Sequence, residues 1–333
     1  MATEMMKMVR GLAASGLLAL LLSAPAAAQQ VQYEVQYYEL DKGDRPHDVA
    51  PAPDGTVWYA GQRAGVAGLL DPKTGRLTRI ALGPGSAPHG VIVGPDGNAW
   101  LTDGGQNTIV RVDARSHEVT VWKLPEDSGY ANLNTAAFDR DGRIWFTGQG
   151  GIYGRLDPET GDMNVWNAPR GRGPYGISAT ADGDIWFVSL AGGYLARVDL
   201  ETGEPHIVEP REPGVGPRRV WPDSDGRLWV SEWNAGHVSV YDPKAGSWRT
   251  WPLPGAGAKC YSVYVDERDK VWLSDFTSNA ILVFDPRTET FQSFPSDRRS
   301  AQVRQMLGRE GEAWGAESGT DRLVVIRYGK AMD

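Results

Sequence analysis

A short motif of the form Asp-Gly-x-x-Trp recurs along the chain at nearly constant intervals. Five complete copies begin at Asp54, Asp96, Asp141, Asp182 and Asp225, and two degraded copies follow. The seven tryptophans that end the copies lie 41 to 45 residues apart: Trp58, Trp100, Trp145, Trp186, Trp229, Trp272 and Trp314. A second motif, Asp-Pro-x-Thr-Gly or a close variant, trails each of the first six tryptophans. A repeat of about 40–45 residues is typical of a β-propeller blade.

Each repeat has the pattern of four short strands. In the second repeat, apolar or alternating segments at 90–93, 99–102, 108–112 and 119–124 are separated by turn residues, as expected for antiparallel hairpins. The seventh repeat ends at 323–328 with its third strand, whereas a strand-like segment at 33–40 precedes the first repeat. We therefore predict an all-β fold, a seven-bladed β-propeller of four-stranded blades, with its ring closed by the N-terminal strand.

Composition agrees with this fold and excludes several classes of protein. The chain of 333 residues has 41 glycines and 13 tryptophans but only 7 phenylalanines, an excess of turn formers and large aromatics. Its formal net charge of −8 argues against binding to nucleic acid or to anionic membranes. Its single cysteine, Cys260, excludes a disulfide framework and a metal site built from cysteines.

The first 28 residues have the features of a signal peptide. Lys7 and Arg10 precede an apolar stretch at 11–22, and small residues at 23–28 suit cleavage after Ala28. Twelve apolar residues are too few for the roughly 20 that span a bilayer. The prediction is a signal peptide at 1–28 and a single propeller domain at 29–333, exported to the periplasm or the medium. No membrane span is expected after signal cleavage, and we expect a monomer.

The start of each innermost strand should face the mouth of the central channel. Counting eleven residues back from each tryptophan gives one residue per blade: His47, His89, Asn134, Tyr175, Arg218, Tyr261 and Val303. We call these the mouth ring; Asp48, Arg219 and Arg304 come directly after three of its members. A second tier, three residues past each tryptophan, is expected to face the same mouth: Gly61, Asp103, Gly148, Ser189, Glu232, Asp275 and Glu317.

The variety of the mouth ring on a uniform scaffold favours a binding or catalytic role. The alternative is that these are solvated loop residues with paired charges, and that each histidine is only a structural one. A hard divalent ion would need oxygen ligands such as Asp103. Cys260 is expected to be a small packed residue rather than a nucleophile. Trp233 and Phe276 form either an apolar lip or part of the core.

Several segments resemble the virginiamycin B (streptogramin) lyases. They are Ala-Pro-His-Gly-Val at 87–91, Gly-Pro-Tyr-Gly-Ile at 173–177, Asp-Gly-Arg-Ile-Trp-Phe-Thr at 141–147 and Ser-Glu-Trp-Asn at 231–234. The resemblance covers all seven repeats, about 33–328. It implies a lyase that opens a cyclic depsipeptide at its ester by elimination, with help from Mg²⁺. In the family, two histidines at the strand entries of the last two blades act with glutamates beside them.

In this chain those two entries hold Tyr261 and Val303, and Pro-His pairs occur instead on blades one and two. We predict an exported lyase that acts by base-assisted elimination on an ester- or ether-linked small molecule bound at the channel mouth. His47 or His89 is the predicted base, and Asp103 is the predicted metal contact for Mg²⁺. The predicted substrate-binding residues are Asn134, Tyr175, Arg218, Arg219, Tyr261 and Arg304. The alternatives are a non-catalytic periplasmic binding or interaction propeller and, less favoured because no carboxylate cluster is apparent, a lactone hydrolase.

Overall fold

The computed structural model describes residues 31–329, so the predicted signal peptide at 1–28 lies outside the described residues. Within that range the chain forms 28 β-strands in seven four-stranded antiparallel sheets, and one short 3₁₀ turn at Glu126–Ser128. The predicted all-β, seven-bladed propeller is confirmed. No helix between residues 31 and 329 has the length and apolar character needed to cross a membrane.

In each of the first six blades, four consecutive strands run from the channel outward. The first three blades are β2–β5 (Pro46–Pro51, Val57–Gly61, Val66–Asp71, Arg76–Ala81), β6–β9 (Pro88–Val93, Ala99–Asp103, Thr108–Val112, Val119–Lys123) and β10–β13 (Leu133–Phe138, Ile144–Gly148, Ile152–Leu156, Met163–Asn167). The next three are β14–β17 (Pro174–Ala179, Ile185–Ser189, Tyr194–Val198, Pro205–Val208), β18–β21 (Pro217–Pro222, Leu228–Glu232, His237–Asp242, Ser247–Pro252) and β22–β25 (Cys260–Val265, Val271–Asp275, Ala280–Asp285, Thr290–Pro295).

The seventh blade joins the two ends of the described chain. Its strands are β26 (Val303–Arg309), β27 (Glu312–Glu317), β28 (Arg322–Gly329) and β1 (Gln32–Glu39). β1 pairs antiparallel with β28 along its whole length, from Gln32 opposite Gly329 to Glu39 opposite Arg322. The inner strand β26 also packs against the inner strand β2 of the first blade. Closure of the ring by the N-terminal strand is therefore confirmed.

The repeated tryptophans fill the space between neighbouring blades. All seven are buried, and a buried indole N–H needs a hydrogen-bond acceptor. In three blades this acceptor is an aspartate six residues earlier: Trp145 donates to Asp139 at 2.8 Å, and Trp229 to Asp223 and Trp272 to Asp266 at 2.9 Å. These aspartates also accept backbone N–H groups of their own turns. In these three blades the aspartate thus fixes the turn to the interior, at the end of the blade away from the channel mouth.

Every innermost strand is irregular where it begins. The pairing of the first and second strands shifts register after Pro46, Pro88, Leu133, Pro174, Pro217, Cys260 and Val303. A bulge of this kind bends the strand and redirects side chains. The shifts contain or border all the mouth-ring residues, so the irregular backbone lies where the sequence varies from blade to blade.

Candidate functional site at the channel mouth

Two histidines from neighbouring blades meet inside the ring. The ring centroids of His47 and His89 lie 3.5 Å apart, and their exposed fractions are only 2% and 5%. His47 Nδ1 lies 2.7 Å from Asp48 Oδ1, so that the imidazole N–H donates to a buried carboxylate and Nε2 is left as an acceptor. His89 Nε2 lies 3.3 Å from the Asn134 amide nitrogen, and its Nδ1 has no hydrogen-bond partner within residues 31–329.

A chain of hydrogen bonds leads from His47 to the opposite side of the channel. The Tyr261 hydroxyl donates to His47 Nε2 at 3.3 Å. The hydroxyl oxygens of Tyr175 and Tyr261 are 2.8 Å apart and hydrogen-bonded to each other. The Arg218 guanidinium donates to the Tyr175 hydroxyl at 2.6 Å. Residues that are up to 214 positions apart in sequence therefore form one continuous polar path from Asp48 to Arg218.

Two further arginines complete the polar network. Arg219, which is only 1% exposed, donates to Thr135 Oγ1 at 3.0 Å and lies 3.4 Å from Asp48 Oδ1. Arg304 donates to Ser318 Oγ at 2.8 Å and approaches the Tyr261 hydroxyl at 3.4 Å. The structure thus brings together both predicted catalytic histidines and all six predicted substrate-binding residues.

Burial and the arginines set the protonation of this network. Burial, reinforced by Arg304, Arg219 and Arg218, holds the pKa of His47 well below 6.5; burial and the neighbouring His47 do the same to the pKa of His89. Both imidazoles are therefore neutral at pH 7. Burial raises the pKa of Asp48 although Arg219 opposes it.

The pKa values of Tyr175 and Tyr261 are shifted in opposite directions. Burial alone would raise the pKa of Tyr261, but Arg218, Arg219 and Arg304 outweigh it and lower that pKa to about 8. Burial and the adjacent Tyr261 raise the pKa of Tyr175. Tyr261 is consequently the phenol that ionises first, with the Tyr175 hydroxyl placed to donate to its oxygen.

Aromatic rings surround Arg218, which is partly exposed. The guanidinium carbon of Arg218 lies 3.8 Å from the ring centroid of Tyr261, 4.4 Å from that of Tyr175 and 4.6 Å from that of Trp233. Phe276 stacks on Tyr261 with centroids 4.8 Å apart. Trp233 and Phe276 are partly exposed whereas Tyr261 is buried, so these two rings form an apolar lip above the buried tyrosine.

The carboxylates of the second tier do not face the mouth as the sequence had suggested. Asp103, Glu232, Asp275 and Glu317 are all buried within their blades. Asp103 accepts hydrogen bonds from the Ser86 hydroxyl and from the N–H groups of Ala87, Gly105 and Gln106. Asp275 likewise accepts the N–H groups of Lys259, Thr277 and Ser278. These side chains hold loops together because a buried carboxylate needs donors on its oxygens.

The residues present do not suit Mg²⁺. Asp103, the predicted metal contact, already has four donors on its carboxylate. Within residues 31–329, His47, Asp48 and His89 form a group whose potential ligand atoms all lie within 4.8 Å of one another. Mg²⁺ prefers oxygen ligands, and this group offers one carboxylate, already paired with His47 and Arg219. Three nearby guanidinium groups also oppose a dication.

Sequence reasoning missed Thr135, which joins Arg219 to blade three and also donates to the Tyr175 carbonyl at 2.7 Å. Thr135 directly follows a mouth-ring residue, as Asp48, Arg219 and Arg304 do, and that shared position was the available signal. The expectation for Cys260 agrees with the structure: the thiol is free and buried, and burial raises its pKa.

The chain is similar to proteins of a known family. The model of the virginiamycin B lyase family matches residues 22–283, a range that includes the mouth residues of the first six blades but not Val303, Arg304, Glu317 and Ser318 of the seventh. No match was found among curated protein sequences.

Solved structures of this family share the fold at low sequence identity. Selenomethionine-substituted virginiamycin B lyase from Staphylococcus aureus is 19% identical, with a TM-score of 0.81 over 89% of this chain and 99% of that one. A streptogramin B lyase structure is also 19% identical, with a TM-score of 0.82 over 89% and 98%. A catalytically inactive histidine-to-alanine variant of the Staphylococcus aureus enzyme, solved with quinupristin, is 20% identical, with a TM-score of 0.81 over 89% and 99%.

Proposed function

The chain belongs to the virginiamycin B lyase family, and we propose that it is a carbon–oxygen lyase that acts by base-assisted elimination on an ester- or ether-linked small molecule. The observation that carries the proposal is a buried relay of two hydrogen bonds that joins Asp48, His47 and Tyr261. Elimination needs a base that removes a proton from the carbon beside a carbonyl group. The ring of Tyr261 packs against both lip residues, Trp233 and Phe276, and we assign its oxygen as the atom that meets a ligand entering between them.

The relay of Asp48, His47 and Tyr261 can ionise the phenol of Tyr261 without forming an imidazolium on His47. When the phenolic proton moves to His47 Nε2, the proton on Nδ1 moves to Asp48. His47 stays neutral before and after, as its lowered pKa requires, and Asp48 accepts the proton in keeping with its raised pKa. The phenolate left on Tyr261 is stabilised by the arginines that lower the pKa of this tyrosine.

The elimination balances with these groups alone. The Tyr261 phenolate takes the α-proton, the electron pair of the broken C–H bond forms the new C=C bond, and the C–O bond to the leaving oxygen breaks. Tyr261 then transfers its proton to that oxygen. No water is consumed, so the products together have the mass of the substrate.

The two predicted catalytic histidines therefore receive different roles. His47 is the proton carrier behind Tyr261 and sets the orientation of its hydroxyl. His89 packs against His47, and its Nδ1 has no hydrogen-bond partner among the described residues, so that this atom is a hydrogen-bonding group for a polar ligand atom. Tyr261 replaces both as the group that contacts the reacting carbon.

Product mass distinguishes the candidate functions. The purified protein would be incubated with cyclic depsipeptides, including quinupristin, and with ether-linked carboxylic acids, in water enriched in oxygen-18. Elimination gives products without added mass, whereas hydrolysis adds one labelled water. Binding without any product across these substrates would overturn the lyase and favour the non-catalytic propeller.

A matched pair of variants locates the base. Tyr261→Phe should abolish elimination, whereas Tyr130→Phe should leave it unchanged because Tyr130 is 70% exposed in a neighbouring mouth-side loop. Ligand binding by Tyr261→Phe, measured by calorimetry, shows that the variant is folded. Full activity in Tyr261→Phe would contradict the assignment of the base.

A further inference from the structure

We infer that the group activating the substrate is a carboxylate held by Arg218 and Arg304. The substrate class is then a β-alkoxy carboxylate, of which a 4-linked uronic acid unit of an oligosaccharide is a common form. This inference rests on the proposed elimination and specifies its substrate.

Arg218 and Arg304 are partly buried arginines that have no carboxylate partner within residues 31–329. Of the 25 arginines in that range, fourteen form an ion pair with Asp or Glu, and most of the other eleven are exposed. Arg155 is also partly buried but donates to the Leu200 carbonyl and the Asn164 amide oxygen, which leaves Arg218 and Arg304. Both are only partly exposed, and the Nε atom of Arg218 is buried without a hydrogen-bond partner. Their contacts are hydroxyl groups and aromatic rings. Cation–π contacts offset part of the loss of hydration but supply no counter-charge.

The charges at the mouth do not balance. Three guanidinium groups converge on Tyr261, and Asp48 is the carboxylate paired with one of them. This excess of positive charge lies in a chain whose formal net charge is −8, so it is a local feature of the mouth rather than a property of the whole surface. A charge withdrawn from water without a partner is destabilising, and an anionic ligand would supply that partner.

The proposed chemistry explains why a carboxylate needs such a site. Removing the α-proton of a carboxylate places a second negative charge on the same group, which makes the proton much less acidic than that of a neutral ester. Positioned cations stabilise the charge that develops in the transition state. Arg218 and Arg304 can bind the carboxylate oxygens and stabilise this charge. They would thus supply the positive charge that Mg²⁺ cannot supply here, because the residues present do not suit that ion.

The step keeps atoms and electrons in balance. The α-proton moves to Tyr261, a double bond forms between the α- and β-carbons, and the β-alkoxy group leaves and receives the proton as an alcohol. The products are an α,β-unsaturated acid and an alcohol. The faces of Trp233 and Phe276 at the lip provide a flat apolar surface for the body of the substrate, such as a sugar ring.

The test compares an acid with its neutral ester. Trigalacturonate and its methyl ester serve as probes, binding is measured by calorimetry, and turnover is followed by the ultraviolet absorbance of the conjugated acid. We expect the acid to bind at least tenfold more tightly than the ester. Arg304→Gln should weaken binding of the acid about ten- to hundredfold, the size expected when a charged hydrogen-bond partner is removed.

Two variants control the comparison. Arg304→Lys keeps the charge and should retain most of the affinity. Arg299→Gln should bind the acid as the wild type does, because Arg299 is exposed in the preceding loop and has no part in the mouth network.

The outcomes separate the two proposals. Arginine-dependent binding of the acid without turnover would leave the carboxylate site standing and count against the lyase. Equal binding or turnover of the methyl ester would overturn the carboxylate inference while leaving the lyase intact. Failure of the acid to bind would also overturn the inference, and conversion of a depsipeptide in the mass experiment would then still support elimination.

Discussion

Tyr261 is the residue on which the polar groups of the mouth converge. Its hydroxyl contacts His47, Tyr175 and Arg304, and the guanidinium of Arg218 lies over its ring. Ionisation of this phenol is favoured by positive charge and opposed by burial, and the positive charge prevails. The chemistry of the mouth is thus governed by how many arginines surround one hydroxyl group.

The pH dependence of elimination follows from this balance. Loss of the phenolic proton to solvent adds to the phenolate that forms through His47 and Asp48, so kcat/KM should rise with pH and level off above a pKa of about 8. Replacing Arg304 by Gln removes one of the charges that lower the pKa, so the inflection should move to higher pH. An ultraviolet difference titration of the wild type against Tyr261→Phe measures the same pKa without a substrate. An inflection unchanged by Arg304→Gln would contradict this electrostatic account.

His89 links folding to pH. Its folded pKa lies well below its ordinary value of 6.5, so below pH 6.5 the unfolded chain binds a proton that the folded chain does not. The stability present at neutral pH is therefore lost as the pH falls, by up to about 1.4 kcal/mol per pH unit. His89→Gln removes this linkage, and its free energy of unfolding should depend less steeply on pH between about 7 and 5.

Urea denaturation at several pH values measures both slopes. His47, whose pKa is also lowered, and Asp48, whose pKa is raised, contribute with opposite signs. Both remain in the wild type and in the variant, so the difference between the slopes reports mainly on His89. Parallel slopes would show that the pKa of His89 is the same in the folded and the unfolded chain, against the lowered folded value.

At the scale of the strand, the bulges at the start of the inner strands allow blades to approach closely around the mouth. At Gly176 in β14, an added Cβ would lie 2.6 Å from the Cα of Arg219 in the next blade. Real Cβ atoms do not approach backbone this closely, so the glycine is needed to bring β14 beside β18. The position of Arg219, and through it of Asp48, depends on this contact.

Gly176→Ala should therefore destabilise the protein and shift Arg219. Overpacking of this kind typically costs about 1–3 kcal/mol, and the obstruction is backbone that cannot rotate away. Gly329→Ala is the matched control, because an added Cβ there has no atom of residues 31–329 within 4 Å. Denaturant titration of the two variants gives the comparison. Equal stability would mean that the two blades separate without loss.

The strands were predictable because their period-2 pattern and turn residues are local signals. The segments predicted at 90–93, 99–102, 108–112 and 119–124 correspond to Pro88–Val93, Ala99–Asp103, Thr108–Val112 and Val119–Lys123. The mouth ring followed from counting back from each tryptophan. Counting could also have marked Thr135, but the partners of Thr135 and the burial of Asp103 were not predictable in this way, since both depend on how loops and bulges from different blades meet.

For the molecule as a whole, the repeat explains both the size and the composition of the chain. Seven similar blades form one ring over residues 31–329, and seven of the 13 tryptophans of the chain are the repeat tryptophans between them. A ring of this kind depends on its closing contacts, because each blade is supported by its two neighbours and an open ring would expose sheet edges.

The closing strand should therefore contribute more to stability than its length suggests. β1 completes the seventh blade, Tyr38 stacks on Trp314 with centroids 5.6 Å apart, and Tyr33 packs against Phe294 and Tyr328. Burying side chains of this kind stabilises by about 1.5–3 kcal/mol each, so deleting residues 29–40 should lower the melting temperature by about 10 °C or more. Deletion also leaves the edge of β28 unpaired, which favours self-association.

Adding back the missing strand distinguishes closure from a general effect of truncation. A synthetic peptide of residues 29–40 should bind the shortened protein and restore much of the lost melting temperature, because its backbone can pair with β28 and its tyrosines can refill the contacts with Trp314 and Phe294. A peptide of the same composition in scrambled order should not, since a one-residue slip already turns buried side chains to the opposite face. Differential scanning calorimetry with and without each peptide makes the measurement. If the shortened protein had the melting temperature of the intact one, the contact between β26 and β2 alone would close the ring, and β1 would not contribute to its stability.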